Sequence, residues 1–367
     1  MTASIIAACR SAVVPRGGAF AALSIDALAA PVLKAALAQA GLASAQVNEV
    51  IVSNALGGGG NVARLIALAA GLPEHVAGLS IDRQCAGGLD ALLLAKLMVE
   101  SGTADVVVAG GAESYSRRPL RLRTHPDGRP PEPYDQPPFA PWPDRDPDMA
   151  HAADLLAAHC DITREAQDAW AIESHRKARD TTPAEAEIVA ISGVARDPFA
   201  RRLTPALTAR AKPLHGTITA ANTSVAADGA AFCVVVSERM CRTLKAPGIA
   251  ILGGGTRGDR PELPGLAPLV AIRTALDSTG VCVDEIDCAE VMEAFAAQAI
   301  ACVTGAGLDP SRVNTGGGSL ARGHPIGASG AVNAVRLYHT LYARGGGTGI
   351  ATIAAAGGIA TAVVLRA

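Results

Sequence analysis

The chain is short of aromatics, short of charge and without any apolar run long enough to cross a bilayer. Each shortage removes a class of protein. Aromatic residues are 3% of the 367 and charged residues 18%, against 49% hydrophobic. That balance belongs to a folded chain with a sizeable core, not to a disordered one. A formal net charge of −2 gives nucleic acid no reason to be a partner. Eight cysteines are scattered without the paired spacing of a metal site, so they read as reduced thiols, most of them small core residues. The opening run to Arg10 is too short and uncharged for an export signal. The expectation is a cytoplasmic protein that makes no use of a membrane. Neither the Walker lysine pattern nor a dinucleotide fingerprint occurs.

What is present is alternation. Strand-like runs at 4–9, 49–53, 78–82 and 105–110 are separated by helical runs at about 25–40, 62–70 and 86–101. Continuous apolar strands between helices predict a parallel or mixed sheet covered on both faces. Residues 116–148 break the rhythm with prolines, arginines, Tyr134, Phe139 and Trp142, as a lid or an assembly contact would. Helices are expected at about 150–160 and 164–180, followed by a less regular stretch to about 220. Strands follow at 231–237, 248–253 and 288–292, with helices at 268–278 and 295–305. A helix to about 343 and strands at 349–355 and 360–365 close the chain. With 367 residues there is room for two core-bearing domains or two halves of one.

The densest signal is Asn314-Thr-Gly-Gly-Gly-Ser-Leu-Ala-Arg-Gly-His324-Pro-Ile-Gly-Ala-Ser-Gly330. One imidazole in a glycine-rich turn that opens a helix suits acid/base work near neutral pH. A phosphate loop with an incidental histidine is the plainer account. Cys85-Ala-Gly-Gly88 also opens a helix, and each helix leads to a strand ending in Gly-Gly, at Gly110-Gly111 and at Gly357-Gly358. Two repeats about a pseudo-twofold axis would bring both helix starts to one site. Chance likeness of alanine-rich helices is the other account. A thiol at a helix N-terminus is expected to have a lowered pKa, with free backbone N–H groups nearby for an oxyanion. Cys9, Cys233 and Cys288 fall in apolar strands and read as structural. Few aromatics and many alanines suit a short or a roomy pocket alike.

These residues resemble the thiolase family over nearly the whole chain. Arg83-Gln-Cys-Ala-Gly-Gly-Leu89 is similar to the nucleophile loop, and Gly110-Gly-Ala-Glu-Ser114 to the strand end after it. Asn222-Thr-Ser224 with Asp228-Gly-Ala-Ala231 is similar to the coenzyme A segment, Met292-Glu-Ala-Phe-Ala296 to an Asn-Glu-Ala-Phe-Ala loop, and Gly323–Gly330 to the most specific signature. The resemblance implies an α/β thiolase fold, an α-β-α-β-α five-layered sandwich of two pseudo-twofold-related halves with an inserted loop domain. On this chain the halves would be 1–115 plus 221–243 and 244–367, the insert 116–220. It further implies coenzyme A and acyl-CoA as substrate with no permanently bound cofactor, and a homodimer or a dimer of dimers. Cys85 would be the nucleophile and His324 its base. Ser224 would contact the pantetheine arm or thioester, Met149 would stand beside the acyl pocket, and the 116–220 loop would hold most of the coenzyme A site. Arg117, Arg118, Arg121 and Arg123 could meet its phosphates or form a solvated basic loop.

Three departures from the family pattern matter. Ala354 occupies the place of a second cysteine that moves a proton at the substrate α-carbon. Met292 replaces the asparagine that positions an oxyanion-hole water, and Gly87 replaces a serine. The backbone N–H groups of Cys85 and Ala356 would still hold a thioester oxyanion. The expected function is acyl transfer from acyl-CoA through a Cys85 thioester, of acetyl-CoA acetyltransferase type, with making or cleaving of 3-ketoacyl-CoA impaired. The alternative is a catalytically impaired homologue that binds acyl-CoA or acts with a partner subunit. Glu293, Cys288, Cys302 and His151 are the candidates for a replacement proton carrier. A carrier-protein-fed condensing enzyme is disfavoured by Met292.

Overall fold

The computed structural model describes residues 2–57 and 59–367. The amino-terminal half contributes strands β1 (Ala3–Ser11), β2 (Glu49–Ser53), β3 (Leu79–Ile81), β4 (Val106–Ser114) and β5 (Ala227–Ser237). The carboxy-terminal half contributes β6 (Ile249–Gly258), β7 (Cys288–Val291), β8 (Thr348–Ala355) and β9 (Ile359–Arg366). The order across the main sheet is β7-β8-β9-β6-β1-β5-β4-β2-β3.

The two halves repeat one another. In the first, β2 runs parallel to β3 and β4, while β4–β5 and β5–β1 are antiparallel. In the second, β7 is parallel to β8, while β8–β9 and β9–β6 are antiparallel. A single parallel bridge, Ala289 to Val313, stands where β3 stands in the first half. The halves are joined edge to edge by a short antiparallel pairing of Ser4 with Ala250 and Ile5 with Ile249.

Every residue of β4 and β5 is buried, which requires cover on both faces. Helices α1 (Ile25–Gln39) and α2 (Val62–Ala69) cover the outer face of the first half. There Leu28, Leu33 and Ile66 meet Val108, Phe232 and Val234. The intervening strand positions, Val107, Cys233 and Val235, point the other way, into the central layer. That layer holds α3 (Gly87–Glu100) and α8 (Ile326–Arg344), here numbered after α4 (Met149–His159), α5 (Arg164–Asp180), α6 (Ala267–Thr279) and α7 (Ala296–Gly305). Leu89 and Leu92 of α3 and Val335 and Leu337 of α8 fill the space between the sheets. Ala271, Ile272, Cys302 and Val303 of α6 and α7 cover the remaining outer face. The five layers are thus α-β-α-β-α.

The two central helices cross at glycine. A Cβ on Gly88 would meet the backbone nitrogen of Ala331, and one on Gly330 would lie 2.7 Å from Leu89 N. Such backbone-to-backbone approach is what brings the starts of both helices together.

Several elements extend past their sequence reading. β4 continues to Ser114 and β6 to Gly258, since pairing holds polar and glycine residues that carry no apolar signal. A helix at Glu238–Leu244, capped by Ser237, was not expected. Within 116–148 the chain forms a small hairpin, Arg121–Arg123 against Glu132–Tyr134.

Candidate active site

Cys85 sits on the tight connection from β3 to α3. Gln84, just before it, takes a left-handed φ of 50°, a conformation that costs a non-glycine residue roughly 1–2 kcal/mol. Gln84 N donates to Asp82 Oδ1 at 2.8 Å, which holds the turn. His324 follows Gly323, whose φ of 117° is open to glycine alone and whose missing Cβ lets Ala227 pack close. His324 N then donates to Val225 O at 2.8 Å.

The thiol and imidazole, 239 residues apart, meet: His324 Nε2 lies 3.2 Å from Cys85 Sγ. On the other side of the ring, Nδ1 lies 2.7 Å from Ser329 Oγ. With Nδ1–H donating to Ser329, Nε2 presents its lone pair to the Sγ–H. The helix that carries Ser329 is fastened by Glu113 at the end of β4. Glu113 accepts from Gly327 N at 3.0 Å and from Asn54 Nδ2, Ala55 N and Leu56 N.

Burial sets the charges. The Cys85 thiol is pushed up to about 12, mainly by desolvation and further by the Glu113 carboxylate. The N–H groups of Cys85 itself and of Ala356 pull against this without prevailing. The lowered thiol pKa expected from the helix dipole is therefore corrected: loss of water outweighs it. The same desolvation lowers His324 to about 4. Glu113 rises to about 7 for the same first reason. The resting pair is neutral.

Both side chains line a cavity of about 190 Å³ whose walls are chiefly apolar. Ser224, Met149, Ala354 and Ala356 line it too. Ser224 Oγ donates to the carbonyl of Glu293. Met292 does not line it. It is 1% exposed, its thioether accepts from Ser319 Oγ at 3.2 Å, and it borders a separate water-sized void with Ser329 and Asn333. The residue thus faces the back of the histidine turn. Arg117, Arg118, Arg121 and Arg123 do not line the cavity either; Arg118 pairs with Asp135 and Arg121 donates to Ala55 O.

The candidate replacement proton carriers are otherwise engaged. Glu293 accepts from Trp170 Nε1, Ser174 Oγ, Asn314 Nδ2 and Leu320 N, and so ties α5 to the histidine turn. Cys288 and Cys302 are core residues, and His151 stacks on His215. Among the cavity or site residues the sequence reading missed are Ser329, Gln298 and Phe139. Ser329 lay inside the quoted motif, five residues after His324, where a helix start places it beside the ring. Gln298 is a lone amide in an alanine-rich helix, and Phe139 comes from a stretch with no periodicity.

A doubled α/β fold with one cysteine and one histidine brought to a shared apolar cavity from opposite halves defines a class of cysteine-dependent enzyme. Residues 3–239 match the family model "Thiolase, N-terminal domain", and residues 246–367 match "Thiolase, C-terminal domain". The chain belongs to the thiolase family. It is 39% identical over 332 residues to a putative acetyl-CoA C-acetyltransferase, YhfS, of Bacillus subtilis, covering 88% of each chain. It is 36% identical to an acetyl-CoA acetyltransferase of Cupriavidus necator, covering 99% and 98%. Among solved structures, the Bacillus anthracis acetyl-CoA acetyltransferase superposes with a TM-score of 0.92 at 33% identity, covering 100% and 98%. The Acat5 thiolase of Ascaris suum, in complex with coenzyme A, gives 0.92 at 30% identity and full coverage of both chains.

Proposed function

We propose that the protein is a thiolase-type acyltransferase that takes an acyl group from acyl-CoA onto Cys85. The observation that carries this is the Sγ–Nε2 distance of 3.2 Å, with Nδ1 of the same ring held by Ser329. Sγ attacks the thioester carbonyl while its proton passes to His324 Nε2. The bond from carbonyl carbon to coenzyme A sulfur then breaks, and His324 returns the proton to the departing thiolate. The backbone N–H groups of Cys85 and Ala356 stabilise the tetrahedral oxyanion. Because the resting pair is neutral, proton transfer occurs in step with attack.

Carbon–carbon chemistry is a different demand. A methyl at position 354 cannot carry a proton to or from the α-carbon, and Met292 offers no amide donor. Loss of a general acid/base costs roughly 100- to 10,000-fold, and loss of one oxyanion donor about 3–4 kcal/mol. Acylation therefore persists and Claisen condensation or its reverse is slow. Ala354 also favours a second reading, a homologue that binds acyl-CoA or supports a partner subunit without turnover. The chain further divides, in this reading, into halves 1–115 plus 221–243 and 244–367 around the insert 116–220, and acts in the cytoplasm as a homodimer or dimer of dimers.

Mass spectrometry after incubation with acetyl-CoA tests the assignment. An acetyl adduct on Cys85, absent from Cys85→Ala and strongly slowed in His324→Ala, is expected. Binding of acetyl-CoA without any adduct favours the second reading. Vigorous acetoacetyl-CoA cleavage by the unmodified protein contradicts the role given to Ala354.

A further inference from the structure

A second cavity, of about 710 Å³, shares no lining residue with the catalytic one. Its wall runs from the end of α5 through residues 181–188 and 195–200 to Gly316, Arg322 and Arg336. Arg322 and Arg336 are 4% and 6% exposed, so they are built into the wall and do not wave in solvent. Arginines buried to that degree normally meet a carboxylate each.

Here Arg336 meets two shared carboxylates, Glu187 and Glu290, while Arg322 has none within hydrogen-bond distance. Asp197 turns both oxygens to Arg10, at 2.8 and 3.0 Å, and also accepts from Val13 N. Glu187 is shared between Arg10 at 2.7 Å and Arg336 at 3.3 Å. Arg322 is left with two carbonyls, Gly316 O and Gly317 O, and with Asp197 no nearer than 3.9 Å. Arg336 places Nε on Glu290 and Nη1 on Glu187, while Nη2 has no hydrogen-bond partner among the described residues. Nη2 lies against the bare Cα of Gly316, where any Cβ would collide with it. Burial pushes the Glu290 carboxyl up, although both Arg336 and Arg322 face it and pull it down. At the mouth stand Arg179 and Arg196, both exposed, with Glu185 in the wall and Asp180 3.9 Å from Arg179.

We infer that this cavity binds a small organic polyanion, recognised by Arg322 and Arg336 at its floor and by Arg179 and Arg196 at its mouth. Guanidinium forks match phosphate and carboxylate oxygens in pairs, and the volume is that of a small-molecule site. The site stands apart from acyl transfer, although Arg322 is two residues from His324.

Calorimetric titration of the full chain with citrate and, separately, inorganic pyrophosphate tests this at low salt. Binding of either probe is expected; citrate alone assigns a polycarboxylate ligand and pyrophosphate alone a phosphorylated one. Floor arginines belong to a buried ion network whose loss risks the fold, so the test variant is Arg179→Ser with Arg196→Ser. It should bind about ten-fold more weakly or worse, with acetylation of Cys85 unchanged. No binding of either probe at millimolar concentration overturns the inference. So does unaltered affinity in the double variant, or one-for-one displacement of the probe by acetyl-CoA.

Discussion

At the residue scale, Cys85 and His324 illustrate how burial prepares a neutral pair whose reactivity depends on proximity. His324 falls from an ordinary 6.5 to about 4. Between those values the unfolded chain binds a proton that the native chain refuses, so stability declines as pH falls through that window. The contribution reaches about 2–3 kcal/mol near pH 4.5. Urea unfolding at about pH 7 and pH 4.5 should show a larger acid loss for the wild type than for His324→Asn. Equal losses would remove the claim that this ring is buried neutral. Cys85 obeys the opposite sign: its alkylation rate should show no inflection in the ordinary thiol range near 8.5, because the thiol titrates at about 12. Ala354 offers a gain-of-function test. It lines the catalytic cavity, so Ala354→Cys places a second sulfur in the cavity that Cys85 lines. Acetoacetyl-CoA cleavage should then rise by roughly 100-fold, the lower end of general acid/base effects, since Met292 still supplies no amide.

At the element scale, the site depends on two helices that cross where neither has a side chain. Gly330→Ala would press a methyl against Leu89 N and force the helices apart. The expected cost is about 1–3 kcal/mol in unfolding free energy, the range for overpacking. Acetylation of Cys85 should slow along with it, because Cys85 and His324 ride on the two helix starts. Normal acetylation in a destabilised Gly330→Ala protein would mean that the turns, not the crossing, fix the pair. The strand and helix pattern that builds this crossing was legible from apolar periodicity, since β4 and β5 are buried on both faces and read as unbroken hydrophobic runs. Strand ends were not, because Glu113 and Arg257 belong to ladders by pairing alone.

At the scale of the whole molecule, the repeat is the organising fact. The same strand order in each half, joined at Ser4 and Ile5, brings a sulfur from one half and an imidazole from the other to one cavity. Sedimentation should give two or four times the chain mass if the proposed homodimer or dimer of dimers holds. Leu120 and Leu122 of the hairpin segment, 91% and 57% exposed, are the apolar surface such an assembly should cover. Leu120→Ser with Leu122→Ser is expected to lower the assembly state without lowering acetylation of Cys85. A monomer at micromolar concentration would oppose the assembly reading.

Apolar runs and glycine-rich turns, being local properties, made the elements and the two helix starts legible, while the layered architecture and the pairing of Cys85 with His324 were implied by the resemblance to the thiolase family. The letters also raised the question that the proposal answers, since Ala354 and Met292 are apolar where the family pattern has a cysteine and an asparagine. Tertiary structure decided the rest. It placed Met292 behind the histidine turn, spent Glu293 on four hydrogen bonds, and raised the thiol pKa that a helix dipole alone would have lowered. It also gathered Arg322 and Arg336 from one stretch and Arg179 and Arg196 from another around a single cavity. Desolvation and long-range packing govern each of these outcomes, and both depend on neighbours that lie far away along the chain.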